Sequence, residues 1–247
     1  GPIARLFTDD PGVLAGLDIA ATAFRHIDER VRLFPRRHDG DPFDAGAILA
    51  EVAGPVRAIV QAERTALNFL QRLSGVATLT RRYVDAVEGT GAVILDTRKT
   101  TPGLRDVEKY AVRCGGGTNH RRDLASMAML KDNHREAIAR AGMTVAQAVA
   151  AIRRRFPGIP VEVEIDRLDQ LEAALAAHPE WVLLDNMSLD DMREAVVRTA
   201  TRAKLEASGG VTLETVRAIA ETGVDAISVG ALTHSAPALD ISLDLEF

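Results

Sequence analysis

Short apolar runs alternate with helix-length segments along the second half of the chain, and this repetition constrains the fold more than any other feature. The predicted strands lie at residues 92–95, 127–130, 161–165, 181–184, 204–207 and 226–229. Segments long enough to form helices lie between the later strands, at residues 144–155, 167–177, 190–202 and 213–222. Strands that alternate with helices form parallel sheets, so the pattern predicts an α/β fold.

The polar residues that end these strands recur at steps of about 22 residues, at Glu164, Asp185, Ser208 and Gly230. A strand, a loop and a helix together occupy about that length, which favours a closed or nearly closed β/α barrel over a doubly wound sheet. The active site of such a barrel lies at the carboxyl ends of its strands. We therefore expect the functional residues to follow the predicted strands.

The N-terminal part has a different pattern, in which proline and glycine repeatedly interrupt short strand-like runs and loops. Residues 3–7 are predicted to form a strand, and the later half of 13–31 is predicted to be helical. Residues 56–87 predict a long helix with an interruption near Ser74 and Gly75. Because strand-like residues begin almost at the first position, we expect the sequence to start part-way into a longer chain.

Charge and composition exclude several classes of function. A net charge of −5 gives no basic field for nucleic acid, and 4% aromatic residues leave few platforms on which bases could stack. No apolar run approaches the ~20 residues that a transmembrane helix needs. The single cysteine, Cys114, cannot form an internal disulfide, which is typical of a reducing compartment. We expect a cytoplasmic protein.

Cationic side chains follow three of the predicted strands. They are Arg98 with Lys99, His120 with Arg121, and Lys131. Crowded cations repel each other unless an anion lies among them, and arginine binds carboxylates and phosphates through paired hydrogen bonds. One such residue after a strand is usually a solvated loop residue. Three strand ends together predict a site for a small ligand with several negative charges.

Glu164 and Asp185 end consecutive predicted strands, so their carboxylates are expected to lie close together. Mg²⁺ is bound by carboxylates, waters and the phosphates it neutralises, and we predict a Mg²⁺ site at this pair. The alternative that Asp185 caps the next helix stays open. Glu162, two residues before Glu164 on the same strand, is the weaker candidate.

Small residues follow the last two predicted strands, at Ser208, Gly209 and Gly210 and then at Gly230 and Ala231. Their backbone N–H groups can approach a phosphate closely, and a helix N-terminus behind them adds a favourable dipole. Glycine is also the ordinary turn residue, so this pattern is a weak signal by itself.

Together these segments resemble the quinolinate phosphoribosyltransferase family. The most specific stretches are DTRKTTPGLR at 96–105, NHR at 119–121 and KDNH at 131–134. Further matching stretches lie at 63–70, 109–112, 115–118, 161–164, 184–187, 205–210 and 230–235. They occur in the family's order and cover nearly the whole chain from residue 10.

The resemblance implies a fold and an activity. The fold is an incomplete β/α barrel (67–234) with a small mixed α+β domain (1–66 and 235–247) that the C-terminal strand completes. The activity is transfer of a phosphoribosyl group from PRPP to quinolinate with decarboxylation, giving nicotinate mononucleotide and pyrophosphate for NAD biosynthesis. The pyridine nitrogen attacks the ribose carbon, and the pyridinium then accepts the electrons that the departing carbon dioxide leaves behind.

The resemblance also implies roles for single residues. Quinolinate-binding positions are matched by Arg98, with Thr97 beside it, and by His120, Arg121 and Lys131. Lys99 matches a lysine near PRPP, Glu164 and Asp185 match the carboxylates that hold metal and ribose, and the phosphate loops are matched by Ser208, Gly209, Gly210, Gly230 and Ala231. Lys99, Lys131, Glu164 and Asp185 are the expected catalytic residues. Arg64 matches an arginine that reaches the neighbouring subunit's site, which implies a homodimer; whether dimers associate into a hexamer stays open.

Two departures and three alternatives accompany this interpretation. The family usually has a further segment before the point where this sequence starts, which leaves the completeness of the small domain an open question. Arg122 stands where the family more often has an apolar residue, which predicts an altered loop. The alternatives are a ModD-like barrel paralogue associated with molybdenum transport, a phosphoribosyl enzyme acting on nicotinate, and a non-catalytic anion-binding barrel. The complete DTRKTTPGLR and NHR motifs favour the biosynthetic enzyme, and the number of cations exceeds what the single carboxylate of nicotinate needs.

Overall fold

The computed structural model describes residues 3–246, which form two compact units. Within that range, the first unit contains the residues up to Val84, Lys99–Thr118 and the residues from Gly230 onward. The second unit contains Asp85–Arg98 and Asn119–Val229. Gly1, Pro2 and Phe247 of the predicted small domain lie outside the described residues, and the predicted domain limits stay a prediction.

The elements of the described range are as follows. The strands are β1 (Ile3–Phe7), β2 (Gly12–Val13), β3 (Arg32–Pro35), β4 (Pro42–Phe43), β5 (Ile48–Ala53), β6 (Val93–Leu95), β7 (Ala128–Leu130), β8 (Val161–Ile165), β9 (Trp181–Asp185), β10 (Lys204–Ser208), β11 (Ala226–Ser228) and β12 (Ser242–Glu246). The helices are α1 (Leu17–Ile27), α2 (Val56–Ala86), α3 (Arg105–Cys114), α4 (Asp132–Arg140), α5 (Val145–Arg155), α6 (Leu171–Leu175), α7 (Leu189–Thr199), α8 (Val216–Ala220) and α9 (Ala231–His234). Among the described residues, no helix is both long and apolar enough to cross a membrane.

In the first unit, an antiparallel sheet runs in the order β12-β1-β5-β3. Leu6 of β1 pairs with Leu243 of β12 on one side and with Ala50 of β5 on the other, so the C-terminal strand completes this sheet as predicted. Its side chains pack with α1 and α2 around fully buried Phe24 and Leu70. The burial of these apolar side chains is the main force that holds the unit together.

Helix α2 is continuous, so the predicted interruption near Ser74 and Gly75 is wrong. Both residues are buried inside the helix. A Cβ at Gly75 would collide with the carbonyl oxygen of Pro237, which shows that glycine is needed here for close packing of the backbone and not for a break. The Ser74 hydroxyl accepts a hydrogen bond from the Ala15 N–H at 3.1 Å, so its polar group is satisfied without bending the helix.

In the second unit, six parallel strands form a sheet in the order β6-β11-β10-β9-β8-β7. The strands predicted from residue 92 onward all lie in this sheet, and the fold class, an incomplete β/α barrel with an antiparallel N-terminal sheet, is confirmed. Parallel strands carry helices on their faces and are buried, which explains their apolar character. Because the strands run in one direction, their carboxyl ends and the residues that follow them meet at one edge.

Candidate active site

Asp96, directly after β6, fixes the start of the Asn119-His120-Arg121 segment in the second unit. Its side chain is fully buried. One carboxylate oxygen accepts a hydrogen bond from the His120 N–H at 2.7 Å, and the other accepts one from the Asn119 side-chain amide at 2.6 Å. A buried carboxylate is tolerated only when hydrogen bonds replace its water. Asp96 therefore acts as an anchor for the residues that follow.

The His120 ring is engaged through both of its nitrogens. Nδ1 accepts a hydrogen bond from the Arg121 N–H at 2.7 Å. Nε2 lies 3.0 Å from Oε2 of Glu206 and 3.4 Å from Oε2 of Glu162. An Nδ1 that accepts a hydrogen bond carries no proton, so the ring proton of the neutral form is assigned to Nε2, which donates to Glu206.

Glu162 on β8 and Glu206 on β10 are buried carboxylates that differ in charge state. Burial raises the pKa of Glu162 to about 7. Burial also acts to raise the pKa of Glu206, but the hydrogen bond from His120 outweighs it and the net pKa is lowered. Glu206, which is nearer to Nε2, is thus the more strongly anionic of the two.

The two carboxylates also shift the pKa of His120. Burial lowers the pKa of His120, but the hydrogen bonds to Glu162 and Glu206 outweigh burial and raise it to about 9. A second ring proton would sit on Nδ1 and face the N–H of Arg121, and this contact opposes the rise.

Arg98, which follows β6, and Arg121, which lies between α3 and β7, are near each other in this unit. Burial, together with the neighbouring Arg98 guanidinium, lowers the pKa of Arg121, and the carboxylates of Glu162 and Glu206 act in the opposite direction. Arg121 donates from Nη1 to the carbonyl oxygen of Met127 at 3.0 Å. Two of the cations predicted from the sequence, Arg98 and Arg121, therefore lie near each other, and the carboxylates of Glu162 and Glu206 supply part of the compensating negative charge.

Lys131 and Glu164 form an ion pair at the next two strand ends. Lys131 follows β7 and Glu164 lies on β8, and Nζ of Lys131 is 3.5 Å from Oε2 of Glu164. Arg135 donates to the carbonyl oxygen of Glu164 at 2.7 Å, which holds the strand end. Half of the Lys131 side chain is exposed, so this ion pair is weak and the ammonium group can turn to a ligand.

Asp185, at the end of β9, pairs in register with Ser208, at the end of β10. The alternative that Asp185 caps the following helix is wrong, because α7 begins at Leu189 and the hydroxyl of Ser188 caps it by accepting from the Asp191 N–H at 3.1 Å. The half-buried carboxylate of Asp185 is therefore not used as a helix cap.

The loop after β10 requires its glycines. Gly209 and Gly210 have φ values of +95° and +60°, and a Cβ at Gly209 would collide with the Asn186 side chain. The Asn186 N–H donates to the carbonyl oxygen of Ser208 at 2.9 Å, which joins the turns after β9 and β10. This arrangement brings backbone close to the strand ends, as a phosphate-binding loop needs.

The remaining predicted residues are divided between the units. Thr97 is half-buried in the second unit, directly after Asp96. Lys99, Gly230 and Ala231 belong to the first unit, where the Lys99 carbonyl oxygen accepts from the Thr233 hydroxyl at 2.8 Å. Arg64 is exposed on α2 of the same unit. The roles expected for these residues stay predictions.

Sequence reasoning gave no role to Asp96 or Glu206, and it considered Glu162 only as the weaker candidate for the metal site. A signal for the last two was present, because each is a carboxylate inside a strand that the pattern predicts to be buried. Charged groups are rarely buried in such strands unless they are paired, so they deserved the same weight as the cations. The Arg122 side chain is 64% exposed and lies 4.0 Å from Asp123, so it points away from this cluster of buried groups.

Comparisons with known proteins agree with this geometry. Residues 3–74 match the quinolinate phosphoribosyl transferase N-terminal domain, and residues 76–244 match the C-terminal domain of the same family. The nicotinate-nucleotide pyrophosphorylase (carboxylating) of Mycobacterium leprae is 47% identical over 241 residues, which cover 96% of this chain and 84% of that protein. A probable enzyme of the same name from Bacillus subtilis is 43% identical over 242 residues, covering 98% of this chain and 83% of the relative.

Among solved structures, the nicotinate-nucleotide pyrophosphorylase from Francisella tularensis superposes with a TM-score of 0.94 at 40% identity. The superposition covers 99% of this chain and 86% of that one. Similarity of this extent covers both the antiparallel sheet and the barrel, and not the barrel alone. The chain therefore belongs to the quinolinate phosphoribosyltransferase family.

Proposed function

We propose that the protein transfers a phosphoribosyl group from PRPP to quinolinate with loss of carbon dioxide, and so makes nicotinate mononucleotide for NAD biosynthesis. The observation that carries the proposal is the pair of Arg98 and Arg121 in the second unit, with Lys131 at the end of β7 in the same unit, in a chain whose full-length relatives bear the name of this enzyme. The cytoplasmic location expected from the single cysteine is part of the same proposal.

The cations suit a ligand with two carboxylates. Quinolinate carries carboxylates on adjacent ring carbons, and a guanidinium binds a carboxylate through two parallel hydrogen bonds. Arg98 and Arg121 would bind one face of this dianion. Lys131 would break its ion pair with Glu164 and bind the ligand as the third cation. The two carboxylates would also reduce the repulsion between the neighbouring guanidinium groups. Nicotinate, with one carboxylate, would use only part of this set.

The carboxylates of Glu164 and Asp185 fit the predicted Mg²⁺. They are hard oxygen ligands at the ends of neighbouring strands, both are partly buried, and Asp185 is not used to cap α7. Mg²⁺ bound there with PRPP would neutralise the leaving pyrophosphate. The loop of Ser208, Gly209 and Gly210 would bind a phosphate through its backbone N–H groups, as the positive φ values of the glycines allow.

The chemistry needs positioning more than it needs a reactive side chain. The pyridine nitrogen forms a bond to the ribose C1, and the bond from C1 to the pyrophosphate oxygen breaks. Carboxylates near C1 stabilise the positive charge that grows there. The pyridinium product then accepts the electron pair of the bond to the 2-carboxylate as carbon dioxide leaves, and a proton replaces it on the ring. Holding both reactants in contact supplies much of the acceleration.

The active assembly we propose is a homodimer in which Arg64 completes the neighbouring subunit's site. The exposed position of Arg64 on α2 is consistent with this role. Sedimentation would test the assembly, and mixing an Arg64→Ala chain with a chain that lacks Lys131 would test the shared site. Recovery of activity in the mixed dimer is expected only if the two residues serve one site from different chains.

The proposed reaction is tested with quinolinate, PRPP and Mg²⁺, with nicotinate in place of quinolinate as the control substrate. We expect nicotinate mononucleotide and carbon dioxide from quinolinate alone, and loss of product when EDTA removes the metal. Arg98→Ala and Lys131→Ala should each abolish quinolinate binding in calorimetry and leave the circular dichroism spectrum unchanged. The control variant Arg154→Ala changes an exposed arginine of α5 and should bind quinolinate normally. Product from nicotinate but not from quinolinate would contradict the proposal.

A further inference from the structure

The His120 ring connects two parts of the site that are far apart in the sequence. Its Nδ1 accepts from the Arg121 N–H at 2.7 Å, and its Nε2 lies 3.0 Å from Glu206. The ring is 8% exposed and the Glu206 side chain is 2% exposed, so water does not compete for these bonds. The orientation of the ring therefore sets the position of the Arg121 backbone.

Glu206 has few other uses in the described structure. It lies inside β10 between Leu205 and Ala207, at a position where parallel strands normally carry apolar side chains. An isolated carboxylate buried in this way is strongly unfavourable, and its burial is offset here by the N–H of His120 and by the charge of the Arg121 guanidinium. An apolar residue would fill the same space without this cost, which indicates that the carboxylate serves the site and not the core.

We propose that Glu206, with Glu162 beside it, is a positioning residue for quinolinate: it holds the His120 ring so that Nδ1 fixes the Arg121 N–H and the Arg121 guanidinium faces the ligand. The proposal rests on the proposed function for the identity of the ligand. Glu206 acts on the ligand through His120, so its proposed role is positioning and not catalysis.

A divalent metal is the main alternative for this cluster. The ligand atoms of His120, Glu162 and Glu206 all lie within 4.8 Å of one another, which is close enough to share an ion. A metal-bound Nε2, however, must offer its lone pair, and the proton then sits on Nδ1. The Arg121 N–H already donates to Nδ1, so the observed arrangement favours a proton on Nε2 and not a metal.

Three variants separate position from charge. Glu206→Gln keeps an oxygen that can accept from Nε2 and removes the charge, whereas Glu206→Leu removes both. Asp225→Asn is the control. This exposed carboxylate belongs to the same unit and accepts a hydrogen bond from the Leu205 N–H at 2.8 Å, near the amino end of β10 and away from the site at the carboxyl ends. Thermal unfolding of each variant shows which of them fold.

The first readout is binding measured by calorimetry. Loss of one hydrogen bond to a charged group corresponds to about a ten- to hundredfold change in affinity. We expect Glu206→Leu to weaken quinolinate binding by that factor, Glu206→Gln to recover most of it, and the affinity for PRPP with Mg²⁺ to change by less than about twofold in both. Tighter binding of quinolinate to both variants would overturn the proposal, because Glu206 would then only oppose the charge of the ligand.

The second readout does not depend on the ligand. Nitrogen-15 NMR of the ring, recorded above the His120 pKa of about 9 so that the ring is neutral, is expected to show a protonated Nε2 and an unprotonated Nδ1 in the wild-type chain and in Glu206→Gln, and loss of this state in Glu206→Leu. An unchanged ring in Glu206→Leu, or a stoichiometric metal ion that copurifies with the wild type and is lost in Glu206→Gln, would overturn the proposal. Failure of the wild type to convert quinolinate would instead refute the proposed function, and the NMR result would still decide whether Glu206 orients His120.

Discussion

Replacing Glu108 by alanine should destabilise the first unit strongly. Glu108 lies on α3 and is completely buried. It accepts hydrogen bonds from Arg72 at 2.8 and 3.2 Å, from the Thr101 hydroxyl at 2.7 Å and from the Thr101 N–H at 3.0 Å. Arg72 also donates to the carbonyl oxygens of Thr233 and Ala236. One carboxylate thus joins α2, α3 and the loop that follows Lys99.

The magnitude follows from what the substitution leaves behind. Removing one partner of a buried ion pair costs about 3–5 kcal/mol, because the other charge stays buried without compensation. The Arg72 side chain is 26% exposed and also donates to two carbonyl oxygens, so its charge is not left fully buried. The expected loss in the free energy of unfolding is therefore near the lower end of this range, at about 3 kcal/mol. For a chain of this length, that loss lowers the Tm by about 6–12 °C.

Urea unfolding followed by circular dichroism measures the free energy of unfolding, and calorimetry gives the Tm. The matched control is the double variant Arg72→Met with Glu108→Leu, which removes both charges and keeps the volume. We expect it to be less destabilised than the sum of its two component variants, Arg72→Met and Glu108→Leu, because neither charge is left buried alone. A loss below about 1 kcal/mol for Glu108→Ala, or strict additivity in the double variant, would refute the reasoning.

Two further predictions concern the same unit. Gly75→Ala should lower the free energy of unfolding by about 1–3 kcal/mol, because the new Cβ collides with the Pro237 carbonyl. Helix propensity alone would raise it by about 1 kcal/mol, so the sign of the change measured by urea unfolding distinguishes the two effects. Asp39→Ala should cost about 1–2 kcal/mol, because Asp39 accepts from the N–H groups of Gly16 and Leu17 at the start of α1 and from the Tyr110 hydroxyl at 2.7 Å. Tyr110→Phe should show only the smaller loss of the hydroxyl, and an equal effect of the two variants would contradict the role of Asp39 as a cap.

Local patterns predicted the strands well and the helices less well. The parallel strands are recognisable because burial on both faces requires uninterrupted apolar runs. Helices α3 and α4 were not predicted, because their sequences carry many charges and little apolar periodicity. The interruption at Gly75 was wrong because glycine has two uses, as a helix breaker and as a point of close backbone contact, and the sequence does not distinguish them.

The amino-acid sequence by itself determined the βα repetition, the order of the strand ends and the cations that follow them, since each of these depends on residues close together in the chain. The tertiary structure alone decided which carboxylates accompany those cations. Glu162 and Glu206 lie on strands separated by β9, and they meet His120 only because parallel pairing places their side chains on one side of the sheet. The electrostatics of the site depends on distances and burial across the fold, which no local pattern in the sequence records.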